Sequence, residues 1–246
     1  MSVYQKIREK YENKQKQYWI LLDPDDFSGK SAANIVQTAE IAGVDAVLIG
    51  GSLVRGGCLE DFIAEIKLSS NLPIILFPGD SSQIADNADA ILFMSLISGR
   101  NPDFLIGQQV KGAVRIAKSG IEPISMAYML VESGTTTSVE FMSNTKPLPR
   151  EKIDIAAAHA LAAQFLGMSI VYLEAGSGAK LSVPDEMIDA VKNSVNIPVI
   201  VGGGIRDAES AKQKFLAGAD ILVTGNLLSS SSGLEEMKKI AKLKSR

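Results

Sequence analysis

The chain has 246 residues, of which 46% are hydrophobic and 22% are charged, and this length can bury the full core of an α/β barrel. The net charge of −3 and the sequence pI of about 5.4 argue against a nucleic-acid-binding protein, because Lys and Arg do not outnumber the acidic residues. The only cysteine, Cys58, excludes an intramolecular disulfide and is typical of a reducing compartment.

The N-terminal segment 1–19, MSVYQKIREKYENKQKQYW, has a polar helical pattern and lacks the apolar core of a signal peptide. It therefore predicts an extra N-terminal helix. No uninterrupted apolar run approaches the ~20 residues that a membrane-spanning helix needs. We expect a cytoplasmic protein without a transmembrane segment.

Short apolar runs then recur along the chain, and nearly all of them are separated by helical patterns. The runs are YWILLDPDD (18–26), DAVLIGGS (45–52), LPIILFPG (72–79), DAILFMSLIS (89–98), EPISMAYMLVESG (122–134), SIVYLEAGSG (169–178), PVIVGGG (198–204) and DILVTGN (220–226). The helical patterns cover 30–42, 59–68, 103–118, 151–167, 185–195, 208–216 and 234–243. Continuous apolar runs are typical of parallel strands that are covered on both faces.

Eight such runs predict a (β/α)8 TIM barrel, an α/β fold, and a doubly wound open sheet is the alternative. The segment SSQIADNA (81–88) is too short for an ordinary crossover helix, so the third helix is expected to be degenerate. No linker interrupts the pattern, and residues 1–246 are expected to form a single domain. The irregular segment 133–150 is long for a connection and is predicted to cover the substrate.

The last three strands end in glycine-rich turns, and the active site of a barrel lies at these carboxyl ends. GSG precedes the helix at Asp185, GGG precedes a helix that begins near Asp207, and GN follows the eighth strand. Exposed N–H groups beside helix N-termini predict a phosphate site. The alternative is that these glycines only relieve crowding in tight turns.

Glu174 ends the sixth strand, one strand away from this predicted phosphate site. Its carboxylate would repel a phosphate, so we expect it to accept a hydrogen bond from a hydroxyl of a small phosphorylated polyol, with Tyr172 adding a second contact. The alternative is a structural acid that caps its own glycine loop.

Asp23, Asp25 and Asp26 follow the first strand, and Ser52 ends the neighbouring one. Close carboxylates require solvation, protonation or a cation, and hard oxygen ligands favour Mg²⁺ with substrate phosphates completing its shell. A metal on one side and a phosphate site on the other predict two phosphorylated substrates, one of them a diphosphate. A solvated turn is the alternative for DPDD.

Five motifs together resemble those of geranylgeranylglyceryl phosphate synthase and its relative heptaprenylglyceryl phosphate synthase. They are LLDPD (21–25), IGGS (49–52), YLEAGSGA (172–179), VGGGIR (201–206) and TGN (224–226). The similarity runs from about residue 18 to the C-terminus, and the YLEAGSG form is similar to the second of the family's two sequence groups. The resemblance implies a (β/α)8 barrel without a regular third helix, and a homo-oligomer, either a dimer or a hexamer.

The resemblance also implies a Mg²⁺-dependent transfer in which the 3-hydroxyl of sn-glycerol 1-phosphate attacks C1 of a polyprenyl diphosphate, in particular geranylgeranyl diphosphate. The products are an ether and pyrophosphate. Asp23 and Ser52 match the metal ligands, and Glu174 would bind the glycerol and accept its proton. The implied sn-glycerol 1-phosphate site comprises Tyr172, Leu173, Glu174, Ala175, Gly176, Ser177, Gly178, Gly203, Gly204, Gly225 and Asn226.

Two positions depart from the family pattern. Some members have a Lys two residues before the metal-binding Asp, where this chain has Leu21, and Asp26 stands where a basic residue is expected. These departures argue against a Lys contact to phosphate at the first strand and leave the motifs of strands six to eight unaffected.

A long prenyl chain requires an apolar trough, and Met and aromatic side chains adapt well to flexible hydrocarbon. The candidates are Phe93, Met94 and Ile97 on strand four, Met126, Tyr128 and Met129 on strand five, and segment 133–150. For each of these residues taken singly, ordinary core packing is the preferred interpretation, and a place in the trough is the alternative.

Other conspicuous residues have simpler interpretations. His159 lies among alanines in a helix outside the barrel, so we expect a packing or subunit contact, and Trp19 is expected in the core. The segment KKIAKLKSR (238–246) is read as a solvated helix face, with weak attraction to anionic membranes as the alternative.

Two rival functions remain open at this point. Another phosphate-handling barrel enzyme, such as an isomerase or a thiamin phosphate synthase, would share the glycine loops but not YLEAGSGA. A non-catalytic barrel that binds a prenyl or polyol phosphate is the second, and the presence of Asp23, Ser52 and Glu174 argues against it.

Overall fold

A computed structural model describes residues 1–51, 57–230 and 232–244. Within these ranges, eight parallel strands pair in sequence order and close into a barrel, with the eighth strand pairing with the first. They are β1 Gln17–Leu22, β2 Ala46–Ile49, β3 Ile74–Leu76, β4 Ala90–Leu96, β5 Glu122–Leu130, β6 Ile170–Glu174, β7 Val199–Gly202 and β8 Ile221–Thr224. The predicted barrel is confirmed, and the open-sheet alternative is wrong.

The helices follow the predicted order. They are α1 Val3–Glu12, α2 Gly29–Ala42, α3 Leu59–Lys67, α4 Gln108–Ser119, α5 Ser138–Ser143, α6 Ile153–Phe165, α7 Asp185–Ser194, α8 Ala208–Leu216 and α9 Gly233–Leu243. A π-helix, Asp103–Gly107, leads into α4, and a 3₁₀ helix, Asn226–Ser229, follows β8. All residues between β3 and β4 are described and none is helical, as the degenerate third crossover requires.

The helix ends follow local side-chain chemistry. Ser28 accepts a hydrogen bond from the N–H of Ser31 at the start of α2, and Gly43 ends this helix in the left-handed conformation with a φ of 90°. Asp207 and Ser210 form a reciprocal capping box at the start of α8. This cap fixes where α8 begins and therefore where its positive N-terminal end lies beside β7.

The strands bury both of their faces, which explains their continuous hydrophobicity. Successive side chains of a strand point to opposite sides of the sheet. Trp19, Leu48 and Ile75 accordingly pack inside the barrel, whereas Ile20 and Val47 pack between the barrel and the helices. Trp19 is fully buried, as expected for a core residue.

The N-terminal end of the barrel is closed by α1. Ile7 of this helix joins the interior cluster, and the Glu122 carboxylate accepts hydrogen bonds from the N–H groups of Val3 and Tyr4 at 2.6 Å and 3.3 Å. Asp45 binds the N–H of Tyr18 and the ammonium of Lys10. The acids at this end are therefore structural, and the larger cavity lies at the opposite end of the barrel.

No helix in the described ranges is long and apolar enough to cross a bilayer. His159 contacts the Ile155 carbonyl and Arg100 on the outside of α6 and does not line the cavity described below. Cys58 is exposed at the start of α3, where its thiol contacts Glu60.

Replacing Ile75 by Ala leaves a cavity in the fully buried barrel interior, so we expect the free energy of unfolding to fall by about 2–5 kcal/mol. The matched control is Ile41→Ala on α2, whose side chain is 84% exposed and whose loss should change stability by less than about 0.5 kcal/mol. Urea unfolding measures both values. Equal losses in the two variants would contradict the assigned interior packing.

Candidate active site

A cavity of about 1130 Å³ opens at the carboxyl ends of the strands, and every strand or the loop that follows it contributes to its wall. The polar part of the wall is made by the loops after β1, β6, β7 and β8, and the apolar part by β3, β4 and α4. The site predicted from the strand ends is therefore one continuous space with two chemically different halves.

Glu174 lies at the end of β6 and is only 6% exposed. Its Oε1 accepts a hydrogen bond of 2.6 Å from the N–H of Gly176. Burial raises the pKa of the Glu174 carboxyl to about 7, although the hydrogen bond from the Gly176 N–H and the nearby Tyr172 hydroxyl and Ala175 N–H oppose the increase. The carboxyl group therefore exchanges a proton near neutral pH, as a general base must.

The backbone of β7 approaches this carboxylate closely. A Cβ atom at Gly202 would lie 2.4 Å from Tyr172 Oη and 2.7 Å from Glu174 Oε2. A Cβ atom at Gly203, whose φ is 80°, would lie 2.3 Å from Glu174 Oε1. These two glycines therefore create the space that the carboxylate and the phenol occupy, which is more than relief of a tight turn.

Tyr172 is part of an aromatic group beneath Glu174. Its ring stacks on Phe77 with centroids 5.4 Å apart, and the ring of Tyr128 lies 5.7 Å away. The Tyr172 hydroxyl is near enough to Glu174 to favour the carboxylate form, but it makes no hydrogen bond of good geometry with any described residue. Burial and Glu174 raise the pKa of Tyr172 well above its usual value, so the phenol keeps its proton and remains a donor.

The glycine loops after β6, β7 and β8 converge beside this pair. Ser177 Oγ donates a hydrogen bond of 3.0 Å to Asn226 Oδ1 and thereby joins the loops of β6 and β8. Gly203 and Gly204 precede α8, and Gly225 precedes the 3₁₀ helix. Backbone N–H groups and helix N-termini together form an arrangement suited to an anion such as a phosphate.

All predicted residues of the sn-glycerol 1-phosphate site lie on β6 or in these three loops. Most of them line the cavity: Tyr172, Glu174, Ser177, Gly178, Gly203, Gly204, Gly225 and Asn226. Leu173, Ala175 and Gly176 do not line it. Leu173 and Ala175 are fully buried in the layer beneath the helices, and Gly176 contributes its N–H to Glu174.

Segment 133–150 lies over the mouth of the cavity, where it was predicted to lie. Leu148 bridges to Val131, and the N–H of Leu181 donates to the Ser133 carbonyl at 3.1 Å. The segment contains α5, which the sequence pattern did not indicate, and residues 136–139 and 141–143 line the cavity. Thr137 packs directly on Gly176, since a Cβ atom on Gly176 would lie 2.6 Å from the Thr137 methyl group.

Asp23 lies at the rim after β1, and its Oδ1 accepts a hydrogen bond of 3.0 Å from the N–H of Asp25. Both carboxylates and Asp26 line the cavity, whereas Ser52 lies outside the described residues. Within the described ranges, no three His, Cys, Asp or Glu side chains are grouped so as to hold a metal. This donor set fits Mg²⁺ completed by substrate phosphates and does not fit an all-protein metal cage.

The apolar half of the cavity extends between β4 and α4, next to the crossover without a helix. Its wall includes Ile84, Ile91, Leu92, Phe93, Met94, Phe104, Gly112, Ile116 and Tyr128. Phe93, Met94 and Tyr128 were predicted. Met126, Met129 and Ile97 follow the core-packing interpretation instead: Met126 packs inside the barrel, and Met129 and Ile97 pack in the outer core layer.

Some cavity residues were not predicted. Phe77 was noted only as a strand end, and Phe104 and Ile116 belong to a helical pattern that was expected to lie outside the barrel. The Pro-Gly turn after Phe77 is the one local signal that marked this strand end. Nothing in the sequence marked Thr137 among the other Ser and Thr residues of its segment.

Comparison with known proteins identifies the family. Residues 9–244 match the PcrB family. The chain is 49% identical over 234 residues to the geranylgeranylglyceryl phosphate synthase of Thermococcus gammatolerans, which covers 95% of this chain and 92% of that protein. The chain belongs to the PcrB family. The protein of the same name from Flavobacterium johnsoniae is 46% identical over 94% of this chain and 95% of its own.

Solved structures agree with this assignment. The (S)-3-O-geranylgeranylglyceryl phosphate synthase of Thermoplasma acidophilum, in complex with substrate sn-glycerol-1-phosphate, superimposes with a TM-score of 0.93 at 37% identity, covering 99% of this chain and 98% of that one. A thiamine phosphate pyrophosphorylase of Pyrococcus furiosus, at 13% identity and a TM-score of 0.59, shares the fold alone. The resemblance drawn from the motifs is confirmed, and this family member is an enzyme of the prenyltransferase type.

Gly203→Ala places a methyl group against Glu174 Oε1, so we expect binding of a small phosphorylated polyol, the ligand predicted for this site, to weaken about tenfold or more through the displaced carboxylate. The matched control is Gly43→Ala, whose φ of 90° is similar but whose Cβ atom would meet no atom within 4 Å. Gly43→Ala should lose about 1–2 kcal/mol of stability from the left-handed backbone, and Gly203→Ala should lose more, because its Cβ atom would also lie 2.8 Å from the N atoms of Ala175 and Gly176. Calorimetric titration measures ligand binding, and thermal unfolding measures the loss of stability. Unchanged binding by Gly203→Ala would contradict the close approach of Gly203 to the Glu174 carboxylate.

Proposed function

We propose that this PcrB family member joins the 3-hydroxyl of sn-glycerol 1-phosphate to C1 of a polyprenyl diphosphate, in particular geranylgeranyl diphosphate. The observation that carries the proposal is a buried carboxyl group, Glu174, with a pKa of about 7 between an anion-binding set of glycine loops and an apolar extension of the same cavity. The acceptor is supported by the T. acidophilum relative, whose complex contains sn-glycerol-1-phosphate.

The acceptor would lie with its phosphate among the N–H groups of the loops after β6, β7 and β8. This orientation places the glycerol part beside Glu174 and the unpartnered hydroxyl of Tyr172. Glu174 then accepts the hydrogen bond of the attacking hydroxyl, and Tyr172 donates to a glycerol oxygen. The reverse orientation would bring phosphate against the carboxylate, where like charges repel.

The reaction forms one bond between the glycerol O3 and prenyl C1 and breaks the bond between C1 and the diphosphate oxygen. The bonding electrons leave with the diphosphate, and the hydroxyl proton passes to Glu174. Because the pKa of Glu174 is about 7, the residue is partly ionised at neutral pH and can release this proton to solvent after the product leaves.

The diphosphate would bind on the opposite side of the mouth, near β1. Asp23 and Ser52 would hold Mg²⁺, and the bound ion would neutralise charge on the departing diphosphate. The prenyl chain would extend into the apolar part of the cavity between β4 and α4. That wall contains Phe93, Met94 and Phe104, whose side chains exclude water from the reacting carbon.

We also propose that the protein is a homo-oligomer. Support comes from large apolar side chains that are exposed on the described surface, among them Phe141, Phe165 and Leu166. Light scattering that gives the mass of a single chain at micromolar concentration would contradict this proposal.

The substrate assignment is tested by incubation with farnesyl, geranylgeranyl or heptaprenyl diphosphate and either enantiomer of glycerol phosphate. We expect an ether product and pyrophosphate with geranylgeranyl diphosphate and sn-glycerol 1-phosphate. Product from sn-glycerol 3-phosphate at an equal rate would overturn the acceptor. Preference for another prenyl length would overturn only the donor.

Glu174→Gln removes the proton acceptor and should lower kcat by about 10²–10⁴-fold. In the wild type, kcat/KM for the acceptor should rise with pH up to about 7 and then level off, because the base is active only when ionised. The control is the residual activity of Glu174→Gln, which retains any pH dependence due to the substrate phosphate, whose second pKa is about 6. Near-full turnover by Glu174→Gln would exclude Glu174 as the general base.

Glu174→Gln also tests whether burial of the ionised Glu174 carboxylate destabilises the folded protein. The folded-state pKa of about 7 exceeds the ordinary value of 4.5, so ionised Glu174 destabilises the folded protein as the pH rises between these values. Glu174→Gln should therefore unfold at a higher temperature than the wild type at pH 8, and the difference should disappear below about pH 4.5.

The metal is tested with EDTA and with Asp23→Asn, which keeps the size of the side chain and removes its charge. We expect EDTA to abolish turnover, Mg²⁺ to restore it, and Asp23→Asn to raise the Mg²⁺ concentration needed for half-maximal rate by about tenfold or more. Asp26→Asn, three residues away on the same loop, is the matched control and should leave this concentration unchanged. Full activity in EDTA would exclude the role given to Asp23.

A further inference from the structure

The Thr137 side chain is buried but makes none of the hydrogen bonds expected at its position. It precedes α5 as the N-cap residue, yet its hydroxyl does not accept a hydrogen bond from the first turn. The residue is 5% exposed, and its Oγ1 has no hydrogen-bond partner among the described residues. A buried hydroxyl without a partner is unfavourable for the fold, so its presence calls for another explanation.

The other buried hydroxyl groups of the covering segment have partners. Ser133 Oγ donates to the Thr135 carbonyl, and Ser143 Oγ bonds Thr145 Oγ1 at 2.8 Å. The missing partner is therefore specific to Thr137 and is not a general property of the segment.

Thr137 lies against the loop that holds the general base. A Cβ atom at Gly176 would lie 2.7 Å from Thr137 Oγ1, and the Gly176 N–H is the group that binds Glu174 Oε1. Thr137 also lines the cavity. Two hydroxyl groups without partners among the described residues thus lie near the end of β6, that of Tyr172 on the strand and that of Thr137 on the covering segment against the following loop.

We propose that Thr137 Oγ1 hydrogen-bonds the glycerol part of the acceptor, a contact that rests on the proposed function of the site. A threonine hydroxyl can both donate and accept, which suits an alcohol that already donates to Glu174. Phosphate is the less suitable partner, since the loops of β6, β7 and β8 already supply N–H donors for it. Thr137 is then a specificity residue carried by the covering segment, and acceptor binding holds that segment over the reacting atoms.

Thr137→Val keeps the shape of the side chain and removes the hydroxyl. We expect calorimetry to show about tenfold weaker binding of sn-glycerol 1-phosphate, unchanged binding of inorganic phosphate, and an unfolding temperature of the free protein equal to or above that of the wild type. Thr137→Ser should restore binding. Thr135→Val, an exposed threonine of the same segment, is the matched control and should bind like the wild type.

Wild-type affinity in Thr137→Val would overturn the proposal. So would an equal loss for inorganic phosphate, which would move the contact to the phosphate, or a lower unfolding temperature with no rescue by Ser, which would make the residue structural. The measurements need no prenyl diphosphate. A wild type that binds sn-glycerol 1-phosphate but transfers no prenyl group would therefore refute the proposed function and leave this inference standing.

Discussion

The rest of the site depends on the burial of one carboxyl group, that of Glu174 at the end of β6. Glu174 leaves water because β7 approaches it with bare backbone at Gly202 and Gly203, and it keeps a usable ionised form because Gly176 donates an N–H to it. A larger residue on β7 would displace it, and a fully apolar surround would hold it protonated. The pKa of about 7 reflects the balance between burial and these hydrogen bonds.

The two ends of the barrel use their acidic residues differently, for structure at the amino ends of the strands and for the cavity at the carboxyl ends. Acids at the amino ends of strands, such as Asp45 and Glu122, are bound by backbone N–H groups and lysines, and α1 covers that face. Acids at the carboxyl ends, such as Asp23 and Glu174, line the cavity. The absence of a helix in the described crossover between β3 and β4 removes one piece of the outer layer, and the cavity extends along β4 in its place. The crossover without a helix between β3 and β4 thus leaves room for the apolar half of the cavity.

Residues could be predicted from the sequence where a short sequence pattern has a local structural cause, such as a helix end or a tight turn. The end of α2 was predictable because the helical pattern 30–42 stops before Gly43, which takes the left-handed conformation, and the glycines after β7 were predictable because bare backbone at a strand end is conspicuous. The sequence could not separate Met126 and Met129, which pack in the core, from the residues that line the cavity, because a strand buried on both faces does not show which of its residues reach the mouth. Ser52 lies outside the described residues, so its metal role remains a prediction.

The sequence by itself determined the barrel, the order of its strands and the set of acids and glycines at one rim, because parallel strands bring all their carboxyl ends to the same edge. It also determined the family, through motifs that are short and contiguous. Only the tertiary structure decided how deeply Glu174 is buried, that Thr137 rests on Gly176, and that α4 contributes to the cavity. These properties depend on distances between residues far apart in the chain, and such distances are set by strand register and packing, which no local pattern records.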